Sequence, residues 1–62
     1  MNASDLWPVF SALIRAVLCV EVKLNITPDR GAYGDWLFDF EREPLPALKR
    51  LAAHLQTLAA KL

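Results

Sequence analysis

His54 is the only histidine and Cys19 the only cysteine in this chain of 62 residues. Nucleophilic catalysis needs a nucleophile beside a base that a third group orients, and no Ser-His-Asp or Cys-His-Asn set can be assembled here. His54 lies in a stretch with no acid between Pro44 and Leu62, so it is expected as a partly exposed surface histidine. One histidine and one cysteine do not make a four-ligand zinc site within a chain. Cys19, among apolar neighbours, is expected as a buried, unreactive thiol. Gly31 and Gly34 sit in one short loop and not between a strand and a helix, so no phosphate cradle is expected. These residue types call for no cofactor and no enzyme.

The remaining polar candidates are Asp29, Arg30, Tyr33, Asp35, Asp39 and Glu41. Trp36, Phe38 and Phe40 alternate with Leu37, Asp39 and Glu41, a period of two that predicts a half-buried strand. On such a strand Asp35, Asp39 and Glu41 share the outward face, where no cleft exists for acid–base work. The chemistry left to them is docking on a basic protein surface, or plain solvation with Lys23 pairing one acid across the strands. Asp29, Arg30 and Tyr33 fall in the loop Thr27–Gly34; Tyr and Arg are enriched at binding hot spots. These six residues are the expected partner-binding set.

The elements that must position them follow from the same patterning. Val20, Val22, Leu24 and Ile26 alternate with Glu21, Lys23 and Asn25, giving a first strand. Pro28 and the two glycines then turn the chain into the second, so Val20–Glu41 reads as a β-hairpin with Leu24 opposite Phe38 or Trp36. Before it, a helix is expected from an N-cap at Ser4 or Asp5 to about Leu18 or Cys19, with Pro8 in its first turn. That helix is apolar around most of its girth, which places it against its own sheet on one side and another subunit on the other. The competing reading continues it through Glu21 or Val22. After the hairpin, Pro44 and Pro46 open a last helix with Leu48, Leu51, Leu55, Leu58 and Leu62 on one narrow seam. The expected fold is therefore α+β: a single domain over residues 1–62, of order αββα, its antiparallel hairpin covered on one face by two helices.

Composition sharpens the functional expectation. Hydrophobic residues make up 55% of the chain and the net charge is zero. A domain of about 60 residues leaves roughly 40% of its unfolded-chain surface exposed, too much to hide that apolar content alone. The surplus points to a homodimer, with edge-to-edge pairing of two hairpins into a four-stranded sheet as one route. The seven basic residues are scattered, which argues against nucleic acid as a partner. The run Trp7–Val20 is shorter than a membrane span and contains Arg15; Asp5, and no Lys or Arg, precedes it. No membrane partner or secretory signal is expected, and the single thiol suits a reducing, cytoplasmic setting.

The reading these observations favour is a small, non-enzymatic, dimeric interaction module that acts by binding another protein. A specific form is an inhibitor of the anti-restriction or anti-CRISPR class carried by phages and mobile elements, its acidic strand face competing with nucleic acid for a basic groove. The alternative is a small dimeric nucleic-acid-binding regulator that gathers Arg15, Lys23, Arg30, Arg42, Lys49 and Arg50. A third, less favoured, is an enzyme with a subunit-interface site using His54 or the carboxylates.

Overall fold

A computed structural model describes residues 2–62. Three helices follow one another: α1 (Ala3–Lys23), α2 (Arg30–Arg42) and α3 (Pro44–Ala59). The described residues contain no strand, so the αββα expectation and its hairpin are overturned. Neither supposed strand forms: Val20–Lys23 is the last turn of α1, with Leu24–Ile26 in the turn that follows it, and Trp36–Arg42 is the second half of α2.

α1 begins two to three residues earlier than expected. Asn2 is its N-cap, accepting from the Asp5 N–H at 3.2 Å, while the Asp5 carboxylate accepts from the Asn2 N–H at 3.4 Å. This reciprocal capping box satisfies two of the donors that a helix start leaves open. Pro8 lies inside the helix rather than in its first turn. Its missing N–H leaves the Ser4 carbonyl without the usual partner, on an exposed residue where water can serve.

The helix ends on an asparagine, the signal that the alternating reading passed over. Asn25 has φ of 59°, the left-handed region that asparagine tolerates better than most residues. The Asn25 N–H donates to the Val22 carbonyl at 3.1 Å, and the Ile26 N–H donates to the Glu21 carbonyl at 2.9 Å. Together these form a Schellman closure, which stops the helix and turns the chain without glycine or proline.

Asp29, expected in a recognition loop, is the N-cap of α2 and accepts from the Gly31 N–H at 2.9 Å. From there Tyr33, Trp36, Leu37 and Phe40 fall at i, i+3, i+4 and i+7, the stripe of an amphipathic helix. Residues 36, 38 and 40 satisfy a period of two as well, but on a helix they do not share a face. Phe40 is fully buried, Trp36 half-buried, and Phe38 is 63% exposed.

A single residue, Glu43, joins α2 to α3, with Pro44 at the first helical position. Its backbone, with φ of −141° and ψ of 86°, lies outside the helical region, which a following proline disfavours. The leucine seam of α3 packs inward as its spacing implies: Leu48, Leu51 and Leu58 are buried and Leu55 half-buried, whereas Leu62 lies beyond the helix and is exposed. They meet Phe10 and Val17 of α1 and Phe40 of α2 in one core. The rings of Phe10 and Phe40 stack with centroids 4.4 Å apart, which ties α1 to α2 at the centre of the molecule. No described buried side-chain nitrogen or oxygen lacks a hydrogen-bond partner.

Candidate interaction surface on helix α2

Because α2 buries Tyr33, Trp36, Leu37 and Phe40 to different degrees, its opposite side is set as well. Phe38, two residues before Phe40, is rotated roughly 160° from it around the helix axis. The Phe38 ring faces outward beneath the Arg42 guanidinium, whose carbon lies 5.6 Å from the ring centroid. Four residues apart, these two side chains hold each other over one turn of helix. Gly34 precedes Phe38 by one turn and has open space where a side chain would be, so no side chain at that position covers the ring.

Glu41 extends this surface toward the start of α1. It lines a groove of about 370 Å³ with Ala3, Ser4, Trp7 and Phe40. Trp7 is 50% exposed and packs on Phe10 and Phe40 with centroid separations of 5.6 and 6.2 Å. The groove therefore has an aromatic floor anchored in the core and a carboxylate at its rim. Glu41 and Phe38, three residues apart on the helix surface, link the groove to the Phe38–Arg42 pair. Trp, Phe and Arg are residue types enriched at protein-binding surfaces, and here they stand in partly exposed positions beside a charged rim.

The six expected partner-binding residues disperse. Asp35 and Glu41 are exposed and flank Phe38 at i−3 and i+3. Arg30, at the first position of α2, is exposed, and Asp29 caps the same helix end. Asp39 turns toward α3, where its carboxylate lies 3.8 Å from Arg50. Tyr33 points inward and donates a hydrogen bond to the Glu21 carboxylate of α1. Burial first, then that hydrogen bond and the Glu21 charge, raise the Tyr33 phenol well above its ordinary value of 10.0. The acidic strip of Asp35, Asp39 and Glu41 does not form: the first two share a side of α2, and Glu41 lies two residues past Asp39, on the far side.

The other singled-out residues also find places. His54 is half-buried with its ring tilted against Trp36, centroids 5.5 Å apart. Cys19 is exposed on α1, not buried as its apolar neighbours suggested. Among the described residues no three His, Cys, Asp or Glu side chains converge on a point where a metal could sit.

Sequence reasoning missed Trp7 and Phe38 as surface residues, and placed Arg42 only in the basic set of the nucleic-acid alternative. The signal was available: once Tyr33, Trp36, Leu37 and Phe40 are taken as a helical stripe, Phe38 is the one large apolar residue left on the other side. Helix α1 is also longer than the apolar run suggested, and its 21 residues are long and apolar enough to cross a membrane by length and composition. In this fold Phe10 and Val17 of that helix are buried in the core.

The fold and this surface define a small all-α protein, a three-helix domain with an aromatic outer face. Searches against family models, curated proteins and solved structures found no match to this chain.

Proposed function

We propose that this chain is a non-enzymatic interaction module that binds another protein through the Trp7–Glu41 groove and the adjoining Phe38–Arg42 pair. The observation that carries the reading is Phe38. A phenylalanine 63% exposed at the centre of a helix face, braced by Arg42, loses its hydration cost only when a partner covers it. The complementary segment carries an apolar side chain for the aromatic groove and a basic group to meet Glu41. Asp35 on the neighbouring turn adds to that preference.

Affinity capture with the tagged wild-type chain, compared by quantitative mass spectrometry with the Phe38→Ser and Glu41→Lys double variant, tests this. Both positions are exposed, so helicity by circular dichroism is expected to be unchanged. A protein bound by the wild type and lost in the variant is the expected result. The same set of proteins recovered with both chains, or none with either, would show that this face is not the binding surface.

A further inference from the structure

The core-facing side of α1 leaves an opposite side that no other helix covers. Asp5, Val9, Ala12, Ala16, Cys19 and Lys23 lie along it, separated by four, three, four, three and four residues. That rhythm keeps all six on one side of the helix for its whole length. All are exposed except the half-buried Ala16, and Val9 is 48% exposed. Beside them a shallow depression of about 330 Å³, lined by Leu18, Cys19, Val22 and Lys23, continues the apolar surface.

The order of residues along this line is its own mirror image. Read from either end it runs charged, apolar, alanine, alanine, apolar, charged, and the two end charges are opposite in sign. We propose that α1 pairs antiparallel with α1 of a second copy of this chain, about a two-fold axis at the level of Ile14. In that pairing Asp5 of each copy faces Lys23 of the other, Val9 faces Cys19, and Ala12 faces Ala16. A two-fold interface requires this reciprocity, in which residue i meets residue j and j meets i. The parallel arrangement would instead set Asp5 on Asp5 and Lys23 on Lys23, so the end charges choose the direction. The alanines at the middle let the two backbones approach closely. Pro8 and Val22 fall near one another along one rim, covering Val22, which is 66% exposed in the single chain. Arg15, midway along that rim, has a stem long enough to carry its guanidinium to solvent.

The pairing residues include none of those that line the Trp7–Glu41 groove or form the Phe38–Arg42 pair, so different substitutions test the two proposals. Sedimentation of the full chain over a concentration series is expected to show a dimer. Lys23→Asp alone places two acids together at each end and raises the dimer dissociation constant by roughly tenfold. Adding Asp5→Lys restores it, although each change by itself weakens its helix end. Disulfide trapping gives an independent reading. In a Val9→Cys variant the new thiol meets Cys19 of the second copy, so mild oxidation yields a covalent dimer that the further change Cys19→Ser abolishes. A covalent dimer that survives Cys19→Ser would show a parallel arrangement and overturn the proposal. So would a chain that stays monomeric, one that sediments with phosphatidylcholine–phosphatidylglycerol vesicles instead of pairing, or a dimer that Phe38→Ser breaks and Lys23→Asp does not. A monomeric chain that still captures its partner through Phe38 would remove the dimer and leave the α2 surface in place.

Discussion

Tyr33 shows how one side chain ties two elements together while exposing the tie to pH. Its hydroxyl donates to Glu21 across the α1–α2 junction, and the same carboxylate opposes ionisation of the phenol. The folded-state value therefore lies above the unfolded one. Its stabilisation is complete below about pH 10 and disappears as pH rises through the higher folded value. We expect wild-type stability, measured by urea unfolding, to fall above pH 10. Tyr33→Phe should cost about 1 kcal/mol at neutral pH and reduce that alkaline loss. An equal loss in both proteins would show that the phenol is not the responsible group. Tyr33 is the only tyrosine, so its ionisation can be followed directly by absorbance. Phe38 and Phe40 make a second contrast at this scale. They are two residues apart and of one type, yet Phe40 is fully buried, so its loss would remove core packing, whereas Phe38 faces outward.

At the scale of elements, the helix ends decide the architecture. Without the turn at Asn25, α1 would continue along its own axis, and α2 could not fold back to set Phe40 on Phe10. A residue with φ of 59° is strained for most side chains but not for glycine. Asn25→Ala is therefore expected to destabilise the protein by about 1 kcal/mol, whereas Asn25→Gly should leave it near or above wild type. Thermal unfolding of the two variants measures the difference; equal effects would mean that α1 does not close this way. The same residues account for the misread hairpin. Val20, Val22 and Ile26 have β propensity, and their alternation with polar residues is real, but both are local preferences that tertiary packing overrides. Val17 and Val20 pack with the core while Val22 faces out, a helical partition that a short alternating run does not reveal.

At the scale of the molecule, three helices within 34 × 21 × 16 Å bury few side chains fully. A chain of this size is stabilised by only about 0.05–0.15 kcal/mol per residue, so anything that covers its exposed apolar side chains adds noticeably to that margin. If copies pair through α1, association and folding are linked. The melting temperature should then rise by a few degrees for each tenfold increase in protein concentration. A melting temperature independent of concentration would mean that the single chain carries all of its own stability. The 55% hydrophobic content makes this the informative experiment, because it separates a surplus used between copies from one presented to a different partner.

The sequence by itself determined that α3 is a helix with a leucine seam and that α1 is apolar on more than one side. Those features are written in long, regular periodicity or in composition, which local physics reads without ambiguity. Only the tertiary structure decided the middle of the chain. Between Val20 and Glu41 the apolar residues fit a period of two and a period near four alike. The arbiter is the stacking of Phe40 on Phe10, a contact between residues far apart in the chain. That contact turns Phe38 outward, separates Asp39 from Glu41, and thereby selects which residues of α2 face solvent.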